Sequence, residues 1–222
     1  MRKMITVKIN GEERQYPQGA TYEDVANDYQ QEYENLIALA ARDGKIRELF
    51  KKLTRDCEVT FFTLKDDVGN KTYVRSATML FLKAVFDVYG REAAQSCRVE
   101  FAIGNGSYIS PKEKINATEE NAAKIRNRMR ELVEAKTPFL KKSYSLDNAM
   151  ELFRREGMKD KEKLFRYRRG SFVNIYEMDG YYDYYYGYML PNAGYVKWFD
   201  VIAYEDGFML LLPDKKDPTH VK

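Results

Sequence analysis

The chain has 222 residues, enough for two small domains or one large one. A hydrophobic fraction of 44% and an aromatic fraction of 14% exclude a disordered polymer, and a formal charge of +3 excludes a polycationic nucleic-acid binder. The one histidine, His220, stands three residues from the end, and Cys57 and Cys97 are the two cysteines. These counts exclude a core-histidine hydrolase triad and a His- or Cys-rich zinc centre, so no metal is expected. They also point to reduced thiols in a cytoplasmic protein.

"MITVKIN" alternates with period two, and with "RQYPQG" it predicts two short strands around a Gly turn. Thr21 is placed to cap a short helix, "TYEDVANDYQ", with Asp24 three residues on. "NLIALAARDGKIRELF" predicts a strand, an Asp43-Gly44 turn and a second extended segment, and "CEVTFFTL" a further strand. Strand, strand, helix, strand, strand over residues 1–64 is the order of a β-grasp domain. The polar stretch 65–72, "KDDVGNKT", predicts a linker. It holds Gly69, Lys71 and Thr72 but lacks the spacing of a phosphate loop.

"YVRSATMLFLKAVFDVYG" has helical apolar spacing and ends at Gly90. "CRVEFAIGNGSYIS" predicts a strand pair around Gly104-Asn105-Gly106. Thr118 caps a long helix, "EENAAKIRNRMRELVEAK", "FLKKSYS" predicts a strand, and Ser145 caps "LDNAMELFRREG", stopped by Gly157. A charged stretch follows, and residues 171–212 predict several strands separated by Gly, Pro and Asn turns. Residues 73–212 then make one α+β domain, and the polar tail 213–222 a linker to a further C-terminal domain. Within them "YYDYYYGYMLPNAG" is the densest run of tyrosines. Such a run fits a half-buried strand, an aromatic pocket wall or a docking surface. No apolar run reaches the roughly 18 residues of a transmembrane helix, so no membrane partner is expected.

The order of the units carries a resemblance. "ITVKINGEERQYPQGATYEDVA" and "ALAARDGKIREL" resemble a TGS domain, the ubiquitin-like β-grasp module at the start of threonyl-tRNA synthetases. "RSATMLF", "GNGSYIS" and "YYGYMLPN" resemble three motifs of the second additional domain of threonyl- and alanyl-tRNA synthetases, an editing domain. In that family a His-x-x-x-His pair and a Cys-x-x-x-His pair converge on one centre that hydrolyses mischarged tRNA. The matching positions here are Arg75, Met79, Tyr185 and Met189. Arg keeps a fixed charge, and Met and Tyr do not make a zinc shell. The resemblance therefore implies a degenerate pocket without a catalytic residue. Arg75 and Met79 share a helix face and are expected to point at the strand carrying Tyr185 and Met189. In the competing reading the two methionines only fill the core, with Arg75 paired to a local acid.

The same two units also resemble the N-terminal half of bacterial uridine or nucleoside kinases. That resemblance implies a non-catalytic accessory region, with a C-terminal kinase domain of the same chain as partner. The fragment itself would need no cofactor, and ATP and magnesium would belong to the parent kinase domain. The alternative is an RNA- or tRNA-binding module that has lost editing hydrolysis. "KDKEKLFRYRRG" supports it, with Arg166, Arg168 and Arg169 around Tyr167, although a solvated charged face reads the same way. A nucleoside or an RNA is the expected ligand. A third reading, hydrolysis through Tyr185, Arg75 and Asp183, lacks a visible base–nucleophile pair.

Overall fold

The structure, a computed structural model, describes residues 3–167 and 170–221. It is a mixed α+β chain with three sheets among the described residues. Strands β1 (Met4–Ile9) and β2 (Glu12–Pro17) pair antiparallel across the two-residue Asn10-Gly11 loop. Strands β3 (Ile37–Arg42) and β4 (Lys45–Glu48) do the same across Asp43-Gly44. Strand β5 (Cys57–Thr63) lies between the hairpins, parallel to β1 and antiparallel to β3, so the order is β2-β1-β5-β3-β4. Helix α1 (Tyr22–Tyr29) starts in a full capping box, in which Thr21 and Asp24 satisfy each other's backbone N–H. Its Tyr22, Val25, Ala26 and Tyr29 bury against Ile5, Val7, Ile37 and Val59.

The stretch 65–72 is not a linker. Helix α2 runs over Asp67–Tyr89, so it begins inside that stretch. The polar residues of its first turns face solvent, whereas Gly69 and Thr72 face inward and are buried. A Cβ on Gly69 would lie 2.0 Å from the Thr63 carbonyl oxygen, so only glycine lets the helix start this close to the first sheet. Ala38 and Leu64 consequently share one apolar cluster with Tyr73, Met79, Leu80 and Phe81. Helix α2 stops at Gly90, whose N–H reaches the Phe86 carbonyl.

A short helix α3 (Arg91–Ser96) leads into strands β6 (Arg98–Ile103) and β7 (Gly106–Ser110). Helix α4 (Glu119–Glu134), capped by the Thr118 hydroxyl, packs along α2. Strand β8 (Leu140–Ser145) precedes helix α5 (Leu146–Arg155), capped by Ser145. The charged stretch that follows is a second unforeseen helix, α6 (Lys159–Arg166), held down by buried Phe165. Strands β9 (Phe172–Met178) and β10 (Tyr181–Asp183) complete a three-stranded sheet, β10-β9-β8. Strands β11 (Asp200–Tyr204) and β12 (Gly207–Leu211) complete a four-stranded one, β11-β12-β7-β6. In the tail, Lys215 bonds Asp67 at the start of α2 at 2.5 Å.

The tyrosine run is a strand only as far as Asp183. Tyr185 and Met189, expected on a strand, lie in the irregular segment 184–192. Beyond Asp183 the run forms no named strand; side chains from elsewhere in the fold take up backbone groups of residues 187–190, and the backbone at Thr137 and Phe139 those of Ala193 and Pro191.

Candidate functional site

That hydrogen bonding builds the site. The Arg75 Nε donates to the Tyr188 carbonyl at 3.0 Å, and the Tyr176 hydroxyl, whose one proton is shared between the Glu48 carboxylate and the Gly187 carbonyl, lies 3.0 Å from the latter. The Leu190 N–H donates to the Ser76 hydroxyl at 2.9 Å, and the Met189 N–H to the Glu48 carboxylate at 3.2 Å. Each buried polar backbone atom named here thus has a side-chain partner, which is what allows irregular backbone to sit in a core. Gly187 has φ +134°, and a Cβ there would lie 2.7 Å from the Arg75 guanidinium carbon. The arginine therefore lies flat under the glycine, with a second bond from Nη2 to the Thr72 hydroxyl at 3.3 Å. Burial lowers the guanidinium pKa, and Glu48 and Tyr176 oppose that shift.

Glu48 is the buried charge at the centre. It ends β4 of the first sheet and is 3% exposed. Its carboxylate accepts from Met189 N–H, from the Lys141 ammonium at 3.0 Å and from the Tyr176 hydroxyl. Burial first, and then the Glu48 charge, drive the Tyr176 pKa far above the ordinary phenol value.

The four family positions do not form one cluster of side chains facing a ligand. Met79 and Met189 are both fully buried, and the Met189 sulfur lies 3.9 Å from the Ser76 hydroxyl. Arg75 is engaged with the backbone of residues 187 and 188. Tyr185 turns the other way and lines a cavity of about 540 Å³ between α2, α3, α6 and β10. Phe86, Cys97, Tyr181, Asp183 and Lys161 line the same cavity. The Tyr185 hydroxyl is enclosed and makes no hydrogen bond to the described residues. Asp183 acts on it electrostatically, and with burial as the larger cause its pKa stands well above the ordinary value. Asp183 accepts the Tyr184 N–H at 2.7 Å and faces the Lys161 ammonium at 3.4 Å. Burial raises its carboxyl pKa, and Lys161 counteracts this. Burial also pushes the Cys97 thiol up to about 12, so it stays a thiol at neutral pH and is a poor nucleophile.

This cavity can hold a small polar group against an aromatic wall, with Asp183 and Lys161 beside the tyrosines and Arg91, Arg98 and Glu156 among its other charged lining residues. Among the described residues no three His, Cys, Asp or Glu side chains come together as a metal set. Of the basic segment, Arg166 ends α6 and reaches Glu162 at 4.0 Å, while Arg168 and Arg169 lie outside the described residues. Sequence reasoning passed over Glu48, Ser76, Lys141, Lys161 and Tyr176. Ser76 stands inside the quoted "RSATMLF", beside Arg75. Nothing local marks Glu48, which lies 141 residues from its backbone donor.

Comparison with known proteins bears on the two resemblances. The threonine–tRNA ligase of Thermotoga maritima is 29% identical over 205 residues, covering 90% of this chain and 30% of that one. That of Porphyromonas gingivalis is 25% identical over 194 residues, covering 85% of this chain and 29% of the other. That of Maricaulis maris is 27% identical over 193 residues, covering 86% and 30%. The chain is related to threonyl-tRNA synthetases. It spans about 30% of the length of these relatives. No family model matches. These relatives favour the tRNA-related reading, and they give no support to a nucleoside-kinase parent. Among the described residues no helix is long and apolar enough to cross a membrane.

Proposed function

We propose that the chain is a tRNA-recognising module related to the N-terminal part of threonyl-tRNA synthetases, without editing hydrolysis. In this reading residues 1–64 are a TGS-like β-grasp unit, and residues 73–212 an editing-like unit. The parallel β1–β5 pair at the middle of the first sheet, with α1 packed into its core, supports the β-grasp assignment. One observation carries the loss of hydrolysis. The positions matching the four ligands hold two core methionines, a backbone-bonded arginine and an enclosed phenol. None of these activates water at neutral pH. What remains is a cavity able to bind but not to cleave.

The test uses tRNA charged with threonine or with serine. The chain should bind both at low salt and leave their deacylation at the rate in buffer. Turnover of either ester, abolished by Asp183→Asn, would overturn the reading.

A further inference from the structure

We propose that the exposed rings of Tyr167 and Phe172, with Lys163 and Arg166, form a platform on which unpaired RNA bases stack; this rests on the tRNA-recognition reading above. Tyr167 is 85% exposed and Phe172 is 67% exposed, and they stand five residues apart where α6 ends and β9 begins. Rings left so far in water need a reason, because burying them elsewhere would favour folding. Phe165, the last buried residue of α6, packs on Phe153 at 5.3 Å and on Tyr184 at 4.7 Å, which fixes the end of the helix. Val173 is buried, so the strand's period of two turns Phe172 outward.

The charge around the rings selects the partner. Residues 159–170 hold six cationic side chains against two acidic ones, a net +4, so the rest of the chain is net −1. Lys163 makes no ion pair with the described residues, and Arg166 meets Glu162 only at 4.0 Å. A protein-binding centre is depleted of charge around its aromatic anchors. Rings beside a segment with more cations than acids are the arrangement that holds single-stranded nucleic acid, with phosphates on the cations and bases on the rings. Five residues of chain span at most about 17 Å, within reach of two or three consecutive stacked bases.

Fluorescence anisotropy with a labelled single-stranded RNA 12-mer and a blunt RNA duplex of the same length tests this, using the full chain. The single strand should bind more tightly than the duplex. Tyr167→Ala with Phe172→Ala should weaken single-strand binding by about tenfold or more, at 1–3 kcal/mol per stacked base. Duplex binding should stay within about twofold. The ring-preserving pair Tyr167→Phe with Phe172→Tyr should retain wild-type binding, which separates stacking from damage to the fold. Lys163→Ala with Arg166→Ala should weaken both RNAs and reduce the single-strand salt slope by roughly 1.4. Binding that ignores loss of both rings overturns the platform and leaves the tRNA reading standing. No binding of either RNA, or of tRNA, at low salt overturns both and assigns the patch to a protein partner.

Discussion

At the scale of single residues, Asp183 is the most exacting group. It is a desolvated carboxylate whose compensating contacts are one backbone N–H, the Tyr181 hydroxyl at 3.5 Å and a lysine at 3.4 Å. Burial raises its pKa above the ordinary value near 3.9. The folded chain therefore holds a proton that the unfolded chain would release. The stabilisation linked to that proton is fully present below the unfolded pKa and is lost as pH rises through the folded pKa. Relative to Asp183→Asn, the wild type should lose stability as pH is raised from the ordinary Asp pKa near 3.9 through the higher pKa of the folded chain. Thermal unfolding of both proteins across that range reads the difference, and a flat difference would contradict the assignment. Carboxylates such as Glu34 and Asp67, lowered by their lysine partners, drive the opposite slope, so only the comparison with the variant isolates Asp183. The same residue keeps the cavity polar at its innermost wall, where the Tyr185 hydroxyl has no other charge to answer it.

At the scale of elements, local chemistry was legible and long-range chemistry was not. The hairpins at Asn10-Gly11 and Asp43-Gly44, the caps at Thr21, Thr118 and Ser145, and the stop at Gly90 depend on neighbours within a few residues, and the sequence shows them. Helix α6 was hidden because its lone buried residue, Phe165, gives no apolar stripe to read. Segment 184–192 was misread because its partners are Glu48, Arg75, Ser76 and Tyr176, none within the stretch itself. The start of α2 was misread because only Gly69 and Thr72 among its first residues face inward. That element yields a test with an unusual sign. Helix propensity alone makes Gly→Ala favourable by about 1 kcal/mol inside a helix. At Gly69 the added methyl meets the Thr63 carbonyl, so Gly69→Ala should instead destabilise by roughly 2 to 4 kcal/mol in urea unfolding. A gain in stability would mean that α2 does not press on the first sheet. Of the candidate site, the family resemblance alone pointed to the four positions on α2 and on the tyrosine run, while their division between core, backbone and cavity required the fold.

At the scale of the whole molecule, the first sheet and the rest of the chain share a buried ion pair, Glu48 with Lys141. Removing one partner of such a pair strands the other charge, which typically weakens a protein by roughly 3 to 5 kcal/mol. Glu48→Ala should show this in unfolding, and it should also raise hydrogen exchange at the Met189 amide, whose acceptor is lost. Unchanged protection at Met189 would show that Glu48 does not hold the segment. The separation of these partners has a further consequence for how the chain is made. Glu48 is synthesised 141 residues before Met189. At 5–20 residues per second, about 7 to 28 seconds pass between the two. The first sheet has its hairpins and helix well before then, so during translation it folds with Glu48 still solvated. Lys141 and Tyr176 are made before Met189, so the carboxylate gains its last partner only when the tyrosine segment arrives, and a nascent chain stalled before it carries an acidic socket still open on that side of the first sheet.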